Sequence, residues 1–267
     1  MSVSKWRVVW VVLGFVSGST AWGQAISIVN PGFEANVITP GTFQVFVPTG
    51  WTMYDPGAII NQNQNAVGVI RPLPGVEYFP GGTPEGVNGA LVFLAGNQAS
   101  EAGLQQTLTT SFLNNTRYTL TVQIGNIASG TSLPGSADGG GVFYNLNGFP
   151  GYRIDLMAGT TVLASDNNTI GATIPEGEFR LSTLVFQSGA IHPQAGQLLG
   201  IRLVNLHTPG TGSAPNIEVD FDQVSLTAVA VPEPVTWALC GMSGAAGVGI
   251  VWMRKRQATR AMEAVLE

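Results

Sequence analysis

Ile217-Glu218-Val219-Asp220-Phe221-Asp222 alternates apolar and acidic residues without a break. A period of two belongs to a strand, whose successive side chains point to opposite faces of a sheet. Ile217, Val219 and Phe221 therefore share one face, and Glu218, Asp220 and Asp222 share the other. The same alternation returns in Tyr118-Thr119-Leu120-Thr121-Val122-Gln123-Ile124, and similar short stretches recur between clusters of Gly, Pro, Asn and Thr. Residues 26–230 hold no long apolar pattern at helical spacing, so the class is all-β, and strands at this spacing predict a β-sandwich jelly roll. Asn61-Gln62-Asn63-Gln64-Asn65 and the stretch from Ser129 to Gly141 read as loops.

Two apolar segments of different kinds flank this region. Lys5 and Arg7 precede the apolar stretch Val8 to Val16, and small residues follow, which is the pattern of a signal peptide over residues 1–25 for removal by signal peptidase. At the other end the uncharged run Val235 to Met253 is about as long as a helix needs to cross a hydrocarbon core. Arg254-Lys255-Arg256 then predicts a cytoplasmic tail over 254–267, because Lys and Arg beside a span stay inside. The domain therefore occupies 26–227, joined to the span by a linker over 228–234.

Between the two signals, residues 26–230 carry five Arg, no Lys and thirteen Asp or Glu, a formal net charge of −8. That balance argues against a nucleic-acid partner, since phosphate binding needs clustered cations. Cys240, the only cysteine, falls in the membrane segment, so the exported domain has no disulfide. Calcium is the obvious staple for an acidic, Lys-free extracellular chain. His192 and His207 have neither Cys neighbours nor helical spacing, which argues against zinc. No Gly-x-Ser-x-Gly elbow occurs in the domain.

On the acidic strand, like charges two residues apart repel. Two explanations stand: a solvated outer face, or a face on which at least one carboxylate binds a cation. Tyr78, Phe79 and Tyr144 stand among Gly and Pro in expected loops, where aromatic rings could face a ligand such as a sugar.

Val231-Pro232-Glu233-Pro234, the span and the basic cluster together resemble the PEP-CTERM sorting signal of Gram-negative bacteria that make extracellular polysaccharide. That resemblance implies an exosortase that recognises Pro232, Glu233 and Pro234, an inner-membrane intermediate, and delivery to the cell surface or matrix. Asn30-Pro31-Gly32-Phe33-Glu34, Gly50-Trp51 and the closing Asp220-Phe221-Asp222 strand resemble the galactose-binding and carbohydrate-binding-module-like jelly rolls. By that likeness Glu34 and Asp222, with backbone carbonyls near Asn30, would hold a structural Ca²⁺.

Gly148-Phe149-Pro150-Gly151-Tyr152-Arg153, Leu199-Gly200-Ile201-Arg202-Leu203, Pro84-Glu85-Gly86-Val87-Asn88 and Gly125-Asn126 are similar to the Stig cyclases (hapalindole-type cyclases) over most of residues 28–227. These are calcium-dependent jelly-roll enzymes that cyclise isonitrile-bearing indole monoterpenes. The likeness implies Asp220 as proton donor, Tyr78 and Ile127 as pocket positions, and Leu91 where the family carries an assisting Tyr. With that hydroxyl missing, the sequence favours an exported, non-catalytic protein that binds or organises exopolysaccharide. The alternative is a Ca²⁺-dependent cyclase or isomerase that uses Asp220 on a small hydrophobic terpenoid ligand.

Overall fold

The alternating stretches form strands in the computed structural model, which describes residues 23–95, 100–210 and 213–231. In chain order these are β1 (Gln24–Ile26), β2 (Thr42–Val45), β3 (Thr52–Tyr54), β4 (Asn65–Arg71), β5 (Gly89–Leu94), β6 (Ala102–Ser111) and β7 (Thr116–Asn126). There follow β8 (Gly130–Thr131), β9 (Phe143–Tyr144), β10 (Tyr152–Ala158), β11 (Thr161–Asn167), β12 (Glu178–Gln187), β13 (Leu198–Asn205) and β14 (Glu218–Ala230). The helix content among the described residues is one 3₁₀ turn, Gly171–Thr173.

One sheet runs β12-β7-β14-β5-β4-β2, with β1 added against β14, and the second runs β11-β10-β13-β6-β3. All pairings are antiparallel, and the inward faces of both sheets enclose one apolar core that includes Leu120, Val122, Leu156, Ile201, Leu203 and Phe221. The all-β sandwich expected from period-two patterning is the fold observed.

The closing strand β14 is central to the larger sheet and carries an irregularity between Asp222 and Ser225 in its pairing with β7. Gln223 sits there with a φ of 48°, and the next amide, Val224 N–H, donates to Pro31 O at 3.0 Å. An extra residue in one strand flips the side-chain parity beyond it. Val219 and Phe221 before the bulge, and Val224 and Leu226 after it, therefore all enter the same core.

The chain ends meet on this strand. Gln24, Ala25 and Ile26 pair with Ala228, Thr227 and Leu226. The sheet thus begins inside the segment expected as a leader, and β14 runs through Ala228–Ala230, three residues expected as linker. Similarly, part of the expected loop from Ser129 to Gly141 forms a short hairpin, Gly130–Thr131 against Phe143–Tyr144. Residues 1–22, Pro232, Glu233, Pro234, the apolar run 235–253 and the basic tail lie outside the described residues. Among the described residues no helix is long and apolar enough to cross a membrane.

Candidate active site

The acidic face of β14 is not solvated. Glu218, Asp220 and Asp222 are all buried, at 6%, 0% and 0% exposure. The outer face of the larger sheet is covered by the segments that carry Tyr78 and Phe79 and by the β8–β9 hairpin. These pack with Ile70, Leu91, Ile127 and Leu146 into a second apolar cluster. An acidic face became an interior one because long loops cover it, which strand periodicity does not encode.

Register places the side chains in rows. Val45, Gly68, Leu91, Asp220, Gly125 and Phe179 stand side by side across successive strands, and Ala66, Phe93 and Glu218 form the neighbouring row. Gly125 is where the sequence makes room for the acid: a Cβ there would lie 2.6 Å from Phe179 Cε1 and 3.0 Å from Asp220 Cβ. Phe179 in turn stacks on Phe79 with ring centroids 4.3 Å apart.

Beside these rows lies a cavity of about 60 Å³. Phe43, Ile70, Leu91, Phe93, Ile127 and Leu146 supply most of its apolar wall, and Glu218, Tyr78 and Tyr144 its titratable groups. Phe43 and Phe93 meet the Tyr144 ring edge-on, with centroids 5.7 and 6.2 Å away. The Tyr144 hydroxyl donates to Asp138 at 3.1 Å, whereas the buried Tyr78 hydroxyl has no hydrogen-bond partner.

Neither carboxyl oxygen of Asp220 has a partner either. An unpaired ion in such a place costs far more than a neutral acid, so burial raises the pKa. Burial first, and the neighbouring Glu218 second, hold Asp220 well above the ordinary carboxylate range. Burial pushes Glu218 up to about 8. Glu218 is therefore mainly protonated at neutral pH, and Asp220 is shifted in the same direction. Burial followed by the bond to Asp138 pushes the Tyr144 hydroxyl up to about 12.

Asp222 belongs to a separate neighbourhood formed by two interleaved loops. It accepts the Glu85 N–H at 2.8 Å and the Gln223 N–H at 2.7 Å. Glu34 Oε1 accepts Val87 and Asn88 N–H, both at 2.7 Å. Burial pushes Asp222 up to about 7 despite its two backbone donors, and the charges of Glu85 and Glu34 add to the rise. Asn30 does not offer the free carbonyl expected of it. Its backbone oxygen already accepts Phe33 N–H at 3.3 Å and Trp51 Nε1–H at 3.1 Å, while its side chain bonds Ala35 and Thr49. Among the described residues no three His, Cys, Asp or Glu side chains converge as a metal-binding group.

Of the residues read from the sequence, the fold brings Tyr78, Leu91, Ile127 and Tyr144 into one cavity wall. Phe79 is wholly buried against Phe179 rather than in that wall. Asp220 stands next to the cavity without lining it, and Glu34 and Asp222 come from opposite ends of the chain to the Glu85 loop. His192 packs edge-on against Phe112 and Phe186. Glu218 was missed as a wall residue. Its signal was present, since period two puts it on the face of Asp220.

The HpiC1-like family, described as HpiC1 cyclase, matches residues 24–227. Among solved structures, an apo-form cyclase from Fischerella sp. is 40% identical, with a TM-score of 0.67 over 79% of this chain and 98% of that one. A cyclase from Fischerella sp. TAU in complex with 4-(1H-indol-3-yl)butan-2-one is 39% identical, with a TM-score of 0.66 over 79% of this chain and all of that one (100%). A Stig cyclase, Fisc, from the same source, in complex with (3Z)-3-(1-methyl-2-pyrrolidinylidene)-3H-indole, is 37% identical, with a TM-score of 0.66 and the same 79% and 100% coverage. No curated protein matches the chain. These likenesses overturn the expectation of a non-catalytic polysaccharide binder and favour the cyclase alternative. The geometry agrees, since the expected sugar platform is buried: Tyr78 is 5% exposed and Phe79 is 0% exposed.

Proposed function

Because this chain belongs to the HpiC1-like cyclase family, we propose that it is a cyclase or isomerase that protonates a hydrophobic, indole-bearing terpenoid, with the β14 acid Asp220 as proton source. The observation that carries this reading is the fully buried, unpartnered carboxyl of Asp220 beside an apolar cavity. A carboxylic acid kept neutral at working pH can give its proton to an alkene, and the carbocation formed is then captured by a second π bond of the same molecule, which supplies the electron pair of the new C–C bond. Phe43, Phe93 and Tyr144 would face that cation with ring surfaces, an attraction strengthened by desolvation. Exclusion of water keeps the cation from being quenched before the ring closes. Loss of a proton to the carboxylate completes the cycle and gives an isomer, so no redox cofactor is required.

Leu91 and Ile127 make two walls aliphatic where the family resemblance expects aromatic or hydroxyl-bearing groups. The ring formed, or its stereochemistry, is therefore expected to differ from that of relatives with a Tyr at the first position. Calcium belongs to the same reading as a structural ion. The oxygen donors Glu34 and Asp222 suit a hard cation, and the observation in favour is that burial and the charges of Glu85 and Glu34 raise Asp222, a destabilisation that a bound cation would offset. When bound, the ion would supply positive charge to this acidic junction, away from the reacting centre.

Purified protein incubated with isonitrile-bearing indole monoterpenes is expected to yield cyclised isomers of unchanged mass. Asp220→Asn should lower the rate by roughly 100-fold or more. Wild-type turnover in that variant would remove Asp220 from the chemistry. The export signals add a location: processing by signal peptidase and, at Pro232-Glu233-Pro234, by an exosortase would place the cyclase outside the inner membrane. Mass spectrometry of the protein recovered from culture fluid and cell surface tests both cuts.

A further inference from the structure

The cavity wall carries two hydroxyls, and they differ in what they reach. Leu91 keeps the β5 side aliphatic, so both hydroxyls come from the segments that cover the sheet. Tyr144 gives its hydrogen to Asp138 at 3.1 Å. Tyr78 is 5% exposed, and its enclosed hydroxyl has no partner. A buried donor left unpaired destabilises the fold. The apolar contacts of this ring with its cluster are ones that a Phe would make equally.

The backbone holds Tyr78 there against its own preference. Its φ is 70°, in the left-handed region that a bulky residue rarely adopts. Its carbonyl accepts the Ala128 N–H at 3.0 Å, and its ring lies so near Gly130 that a Cβ there would stand 3.0 Å from Tyr78 Cε1. Strain of this kind persists where the surroundings over-determine it, and it gathers at ligand-holding positions. Burial first, then the neighbouring acids Glu218, Glu77 and Asp138, raise the pKa of the hydroxyl, so it stays a neutral phenol at working pH.

Resting on the cyclase reading above, in which Asp220 supplies the proton, we propose that Tyr78 determines which ligand the cavity holds, by donating its hydroxyl hydrogen to a compact lone-pair acceptor on an indole-bearing molecule. A phenol is a strong donor and a weak acceptor, because its oxygen lone pair is drawn into the ring. The indole N–H is itself a donor. The group that Tyr78 meets is therefore the other polar end of the ligand, a carbonyl oxygen or the terminal carbon of an isonitrile. Fixing that end leaves the hydrocarbon body against the apolar wall beside Asp220 in one orientation.

Two probes that differ only in the acceptor test this: 4-(1H-indol-3-yl)butan-2-one, and 3-butylindole, in which a methylene replaces the carbonyl. Tyr78→Phe, which keeps the ring, should weaken binding of the ketone roughly 5-fold in calorimetry and leave 3-butylindole bound as tightly as before or tighter. Without ligand, its thermal midpoint should equal or exceed that of wild type, since no bond within the fold is lost. Weakening of both probes alike, or of neither, overturns the proposal and leaves the cyclase reading standing. A lower midpoint or a failure to fold also overturns it, because either would place the hydroxyl in a bond inside the protein. A wild-type protein that binds neither probe would remove the cyclase reading itself, and the role of Tyr78 with it.

Discussion

Glu218 and Asp222 share one strand face, and burial shifts each of them toward its neutral form. Burial raises Glu218 from an ordinary 4.5 to about 8, and it raises Asp222 from 3.8 to about 7. The folded protein therefore keeps protons that the unfolded chain has already released in this window, and stability falls wherever the native state binds more protons. The neutral forms contribute fully below the ordinary values, and that contribution is lost as pH rises through about 7 and 8. Other acids act in a lower window. Arg153 holds Glu101 below its usual range, and at Asp166 hydrogen bonds from Ser182 and Tyr152 outweigh burial, so these two add stability that disappears only in acid. In chelator, thermal midpoints should be higher near pH 5 than near pH 8.5, by several degrees. Glu218→Gln should flatten the upper part of that slope. A midpoint that rises over the same interval would mean that these acids are ionised and paired in the fold.

At the level of elements, one close approach links strand pairing to chemistry. Gly125 in β7 lets Asp220 and Phe179 stand on either side of it in the same row. Gly125→Ala would put a methyl 2.6 Å from the Phe179 ring, and that ring is braced by Phe79. Overpacking of this kind costs about 1–3 kcal/mol. A drop in midpoint of about 2–12 °C is expected, together with slower turnover, because the row that places Asp220 must shift. A fully stable, fully active variant would show that Phe179 moves freely. Much of this level was legible in the sequence. The apolar positions Val219, Phe221, Val224 and Leu226 keep a spacing of two except for a single three, which is the bulge written into the chain. The burial of the acidic face was not legible, because loops that share no periodicity with the strand provide the cover. Leu91, Ile127, Tyr78 and Tyr144 were found through family likeness and loop composition. Phe43, Ile70 and Phe93 were not, since an outer-face apolar residue on a strand looks no different from any other.

Over the whole molecule, the first and last segments of the domain are fastened at one point. β1 pairs with the second half of β14 while β5 takes the first half, and Pro31 bonds at the bulge between them. Glu34 from the first loop reaches Val87 and Asn88, and Asp222 on the last strand reaches Glu85. Glu34 and Asp222 thus bond neighbouring residues of one loop where the chain ends close, with backbone N–H groups offsetting only part of their charge. Closing a long chain is entropically costly, and a cation that binds this junction in the folded state alone would stabilise the protein through mass action. At a calcium concentration about 100 times its dissociation constant the gain is about 2.7 kcal/mol, a rise in midpoint of roughly 5–10 °C for a domain of this size. EDTA should remove that increment in wild type and have little further effect in Glu34→Ala or Asp222→Ala. Glu85→Ala should lose part of it, while Asp220→Asn, with its acid outside the junction, should keep it. A wild-type midpoint that does not respond to EDTA or to added calcium would mean that the junction is held by its backbone hydrogen bonds alone.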